Sequence, residues 1–137
     1  MKRGVSKGLY YFLSGDVAKT APGAWRPSTD IYETADHVVV KIEVPGVRPE
    51  DITVVQYNDR LIVRGVRRPQ AAPDIKGYHQ IEIVCGEFRK EIVLSDLLRG
   101  AEVEAALALG LLSIKISKQA PRREAAERRI PVETDRP

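Results

Sequence analysis

A chain of 137 residues is one domain's worth with room for tails, and its 43% hydrophobic residues suffice for a core. Aromatics make up only 6%, so that core must be mainly Val, Ile, Leu and Ala, as in a β-rich domain. The single Cys85 excludes an intramolecular disulfide and a thiolate metal cluster, and a net charge of +3, much of it near the two ends, is too mild to specify a nucleic-acid partner.

Residues 1–26 read as a separate arm. Its centre, Leu9-Tyr10-Tyr11-Phe12-Leu13, is an apolar and aromatic cluster flanked by Gly8 and Ser14-Gly15, and Pro22-Gly23 and Pro27 break regular structure after it. The cluster is either a short element packed on the core or a mobile contact surface. From Ser28 the strand signals begin. Asp30 to Glu33 is a short strand, and His37 to Val44 alternates, with Val38, Val40, Ile42 and Val44 on one face and Val39 the exception on the other. Pro45-Gly46 ends that strand, since proline cannot donate to a ladder and glycine permits a turn. Ile52 to Tyr57 and Leu61 to Arg64 form a hairpin about Asn58-Asp59.

Arg67 to Lys76, with Pro69 and Pro73, has no periodicity and reads as a long loop. Tyr78 to Val84 reads as a strand, Gly86-Glu87 as a turn or bulge, and Phe88 to Leu94 as the next strand. Ala101 to Leu107 alternates as a strand does, although its Ala, Leu and Glu also suit a helix. Leu112, Ile114 and Ile116 alternate after Gly110, where a side chain would crowd a tight link. After Lys118 the pattern stops, except for an apolar island at Ile130-Pro131-Val132. Short strands at this spacing, with turn residues between them, predict an all-β antiparallel sandwich.

No catalytic constellation is present. His37 and His79 lack carboxylate motifs, and HExxH, Cys/His ligand spacings, phosphate loops and a GxSxG elbow are all missing. Nothing near Cys85 would lower its pKa. The expectation is a non-enzyme with no cofactor and no metal. Without a signal peptide or an apolar run of about 18 residues, it is also expected to be cytoplasmic, with no stable membrane insertion.

With the strands placed, the chain resembles the small heat-shock proteins, the α-crystallin family. The resemblance rests on Asp30-Ile31-Tyr32-Glu33, Val44-Pro45-Gly46-Val47, Pro49-Glu50-Asp51-Ile52, Leu61-Ile62-Val63-Arg64-Gly65 and Gly86-Glu87-Phe88. Ala105, Gly110 and Leu112 fit the family's A-x-x-x-n-G-x-L signature, and Ile130-Pro131-Val132 is similar to its tail motif. Three positions depart from the pattern: Leu109 replaces an asparagine, Lys90 an arginine, and Ser95 a common proline. Lysine keeps the charge but loses the bidentate fork.

The resemblance implies an immunoglobulin-like sandwich, the α-crystallin domain, over 27–118, between the arm at 1–26 and a C-terminal extension at 119–137. It implies an ATP-independent chaperone that holds unfolding proteins and works as homodimers assembled into larger oligomers. It implies that the strand after the long loop is exchanged between partners, so that Tyr78, His79, Ile81, Ile83 and Lys90 form the dimer interface. Ile130, Pro131 and Val132 would dock into a neighbouring dimer's groove lined by Val54, Gln56, Val103, Ala105 and Leu107. Leu9, Tyr10, Tyr11, Phe12 and Leu13 would bind clients. Two rival readings are a monomeric or dimeric co-chaperone of the same fold and a basic nucleic-acid-binding β-module. The second is disfavoured, because no strand face interleaves aromatics with Lys or Arg.

Overall fold

The structure, a computed structural model, describes residues 25–69, 72–124 and 126–134. The strands in chain order are β1 (Thr29–Glu33), β2 (His37–Glu43), β3 (Ile52–Gln56), β4 (Arg60–Arg67), β5 (Gly86–Val93), β6 (Val103–Ala108), β7 (Leu111–Ser117), β8 (Arg128–Ile130) and β9 (Val132–Thr134). Two short 3-10 turns, Pro49–Asp51 and Asp96–Leu98, are the helical elements among the described residues.

The strands form two sheets, ordered β1-β2-β7-β6-β9 and β5-β4-β3-β8. Every pairing is antiparallel except β6 with β9. The sheets face each other across a core of aliphatic side chains, as a sandwich requires. Val38, Val40 and Ile42 of β2 and Leu112, Ile114 and Ile116 of β7 are fully buried, as are Val54, Leu61, Val63 and Ile92 of the other sheet or nearly so. Val39, the exception to the inward-apolar pattern, is buried on the outer face, where Tyr32 and Lys115 lie directly opposite it on the flanking strands.

The β6–β7 hairpin turns through Leu109 and Gly110, both with positive φ, +52° and +76°. Two positive φ values are the signature of the tight turn whose twist matches its strands. A Cβ on Gly110 would lie 3.1 Å from the Cα of Pro45, so the glycine also admits the Pro45-Gly46 loop. Ala101 to Leu107 is strand-like from Val103, and the helical alternative is not adopted.

The strand expected over Tyr78 to Val84 is absent. The segment has no regular secondary structure and pairs with none of the described strands. Its apolar side chains face solvent: Ile81 is 71% and Ile83 78% exposed, and Tyr78 and Val84 are also exposed. Trp25, counted above with the arm, is buried in the core cluster, edge-on to Phe88 at a centroid distance of 5.3 Å. The aromatic cluster at Leu9–Leu13 lies outside the described residues.

Candidate functional site

β3 and β6 face each other along one side of the sandwich, each next to the end of its sheet. Along β3, burial alternates so that Ile52, Val54 and Gln56 point inward. Along β6, Val103 and Ala105 are buried and Leu107 packs partly against the core. The gap between the strands is a two-walled apolar groove, and the chain's own tail fills it. β8 runs antiparallel to β3, with Ile130 opposite Val54 and Arg128 opposite Gln56. β9 runs parallel to β6, with Val132 opposite Ala105 and Thr134 opposite Leu107.

Pro131 stands where the tail passes from one sheet to the other. It has no N–H to donate, so neither ladder loses a bond by its presence. Ile130 is buried in the main core cluster and Val132 is packed partly against it. Residues two apart in an extended chain share a face, so both knobs enter the same groove. The small side chain of Ala105 leaves room opposite Val132. The structure thus brings together all eight residues expected of tail and groove, but within a single chain. A neighbouring dimer was expected as the host. The loop after β7 is long enough to bring the tail back onto its own domain.

Gln56 closes one end of the groove. It is buried, and its Nε2 donates to the Ala101 carbonyl oxygen at 2.7 Å, linking β3 to the segment that leads into β6. Its Oε1 is buried without a hydrogen-bond partner among the described residues.

The residues expected at a dimer interface are not gathered in one place. Tyr78, His79, Ile81 and Ile83 lie in the exposed segment. Lys90 sits on β5 between Phe88 and Ile92, points inward and is only 6% exposed. Burial, and then the nearby Arg26 charge, hold its pKa below the usual lysine value. No carboxylate pairs with it among the described residues. Glu91 beside it points the other way. Burial pushes its pKa up, but hydrogen bonds and charge from Arg89 and Arg60, each 3.3 Å away, outweigh this and leave the pKa lowered.

One tying side chain is not visible to sequence reasoning. The guanidinium of Arg67 lies 3.7 Å from the ring centroid of Trp25. It also donates to the carbonyl oxygens of Val84, at 2.8 Å from Nε, and Pro45, at 3.2 Å. It therefore ties together the root of the arm, the root of the exposed segment and the loop after β2. The only available signal was that Trp25 is the chain's sole tryptophan.

The profile of the Hsp20/alpha crystallin family matches residues 30–133, which begins within β1 and ends within the tail strand that lies on β6. The chain belongs to the Hsp20/alpha crystallin family. This is a family of small heat-shock chaperones rather than enzymes. The 18 kDa heat shock protein of Streptomyces albus G is 33% identical over 114 residues, covering 80% of this chain and 77% of that one. The salt stress-responsive protein YocM of Bacillus subtilis is 37% identical over 92 residues. The chain spans 56% of YocM and 66% of the spore protein SP21 of Stigmatella aurantiaca. Among solved structures, heat shock protein 16.0 of Schizosaccharomyces pombe superposes with a TM-score of 0.66 at 26% identity, covering 77% of this chain and 83% of that one. A small heat-shock protein of Xylella fastidiosa gives 0.60 at 31% identity, covering 75% and 97%. Among the described residues, no helix is long and apolar enough to cross a membrane.

Proposed function

We propose that the chain is a cytoplasmic, ATP-independent holdase: a homodimer, assembled further through its tails, that binds unfolding proteins and keeps them from aggregating. The observation that carries this reading is the exposed apolar segment at 78–84. A run with Ile81 and Ile83 in solvent is costly for an isolated chain and suits strand addition to another copy. The outer edge of β1, which faces no other strand among the described residues, is the edge that would receive it. Tyr78, His79, Ile81 and Ile83 would then be covered, and Lys90 would meet a carboxylate of the partner.

Tail docking supplies the next level. Burying two aliphatic knobs such as Ile130 and Val132 yields roughly 3–6 kcal/mol gross. Ordering the tail costs a comparable amount. A single tail therefore holds weakly, and many tails in one particle add through effective concentration. Release frees the groove and the Leu9–Leu13 cluster for clients. The Xylella fastidiosa protein has a distinct high-order structure, and the relatives include a heat shock protein and a salt stress-responsive protein. These support the reading by analogy.

The test is suppression of heat aggregation of an unrelated enzyme without ATP, together with sedimentation of Ile81→Asp/Ile83→Asp. Suppression by the wild type and a halved dimer mass in the variant are expected. Absence of suppression at equimolar chain would sink the holdase reading. The tail seated in its own groove favours a second reading, a self-capped monomeric or dimeric co-chaperone, which a small wild-type particle would support.

A further inference from the structure

Between β7 and β8 the chain crosses the connection that follows β5. That connection, Asp96 to Gly100, is held rigidly: Leu98 is fully buried, and the N–H groups of Leu98 and Ala101 donate to the carbonyls of Ser95 and Leu98. The Asp96 carbonyl also accepts from the Arg99 N–H at 3.3 Å, while a one-turn helix leaves its last acceptors without internal partners. The crossing segment adds bonds to these carbonyls. Arg122 donates from Nη1 to the Asp96 carbonyl at 3.0 Å and from Nη2 to the Leu97 carbonyl. The backbone N–H of Arg123 donates to the Gly100 carbonyl at 2.8 Å. Arg99 donates to the Glu124 carboxylate at 3.0 Å. Arg128, at the start of β8, donates back to the Arg123 carbonyl at 2.9 Å.

Gly100 shows that the connection is shaped for a peptide passing over it. Its φ is +70°, and a Cβ there would lie 3.0 Å from the Arg123 carbonyl oxygen and 3.2 Å from the Glu124 nitrogen. Real Cβ atoms rarely come so close to backbone, and glycine removes the obstacle.

We propose that Asp96 to Gly100 is a second tail-binding site, distinct from the groove, which reads the basic-basic-acidic stretch Arg122-Arg123-Glu124 and holds the tail on its own domain. The occupant is the chain's own extension, already seated there and continuous with β8. Recognition is bidentate: one planar guanidinium spans two adjacent carbonyls, as a lysine could not. The Arg99–Glu124 pair fixes direction, since a reversed segment would set arginine against Arg99. An exposed ion pair contributes little by itself, so the Arg122 contacts carry most of the hold. The consequence for assembly, which rests on the groove-docking reading above, is that a tail must release this site to reach a neighbour.

The test is residue-resolved hydrogen exchange in the full chain, read at the Arg123 amide. Arg122→Ala is expected to speed that exchange roughly tenfold, and Arg99→Glu to speed it less. Arg99→Glu combined with Glu124→Arg is expected to restore protection. Unchanged protection in Arg122→Ala, or failure of the charge exchange to rescue, would overturn the proposal. Ile130→Ser/Val132→Ser separates the two readings. If the site is independent, Arg123 stays protected in that variant although the groove is empty, and complete loss there overturns independence. Particle size, measured alongside in that variant, reports on groove docking, while the Arg123 amide reports on this site.

Discussion

Truncating Ile130 tests whether the tail is a detachable ligand or an integral strand of the core. Ile130 is 4% exposed and lies opposite Val54. Ile130→Ala removes three buried carbons, which at ~0.8 kcal/mol each is about 2.4 kcal/mol before any cavity cost. That corresponds to roughly a 50-fold change in an equilibrium constant. In a detachable tail the loss is confined to docking. The amides of Arg128–Ile130 and Val132–Thr134 then exchange roughly 50-fold faster. The sandwich itself, followed in urea by the single Trp25 packed on Phe88, loses less than about 1 kcal/mol, because it remains folded with the tail undocked. In an integral strand the loss appears in the global unfolding free energy instead. A global loss near 2.4 kcal/mol (about the full estimate) without local acceleration would refute the docking argument.

Further outcomes follow from single side chains. Leu109 holds φ +52° with its side chain fully in solvent, so Leu109→Asn gives up no packing and relieves a left-handed strain. It should raise the urea midpoint by the equivalent of about 0.5–1 kcal/mol, and a lower midpoint would contradict the turn geometry. Lys90 has a folded pKa below the unfolded 10.5. Between those two values the unfolded chain binds the extra proton, so stability rises with pH through that alkaline window. Dilute wild type should therefore gain on Lys90→Met as pH increases, and a relative loss would mean that Lys90 is paired. The depressed pKa of Glu91 acts in acid: its contribution is present above the unfolded value of 4.5 and lost as pH falls through the folded one. Glu91→Gln should flatten the acid limb of the stability profile. Arg67→Ala removes the cation over Trp25 and the bonds to Val84 and Pro45. A shifted tryptophan emission and a loss of about 1 kcal/mol are expected, while an unchanged spectrum would remove Arg67 from that role.

The strands were legible because most of them bury one face. His37 to Glu43, Ile52 to Gln56 and Leu111 to Ser117 alternate with period two, and that period is what half-burial imposes. The same signal at Tyr78 to Val84 meets no ladder among the described strands. Alternation records that a segment suits a sheet, not that it pairs within its own chain. Val39 broke the pattern because a five-stranded sheet buries part of its outer face as well. Tail and groove residues could be named, but not that they meet within one chain, which depends on the path of the extension. That path is set by backbone carbonyls at Asp96, Leu97 and Gly100, which leave no trace in side-chain pattern. Leu109 looked anomalous until its φ was known. The position asks for a residue that tolerates left-handed backbone, and leucine meets that demand only at a cost.

Seating the tail in its own groove changes how assembly must be driven. The contacts of Ile130 with β3 and of Val132 with β6 use only the groove and the tail, so they are chemically the same whichever chain supplies the tail. What differs is concentration. A tail on the same chain presents itself at an effective concentration of the order of millimolar. A neighbour's tail, free in dilute solution, cannot match that, and the Asp96–Gly100 contacts widen the difference. Pairwise exchange is therefore unfavourable. Trans docking prevails only where many tails engage at once in a closed particle, or where dimer formation through the 78–84 segment strains the returning path. Assembly by this route must be cooperative and steep in protein concentration, because each step up to closure trades a favoured contact within one chain for an equal contact between chains.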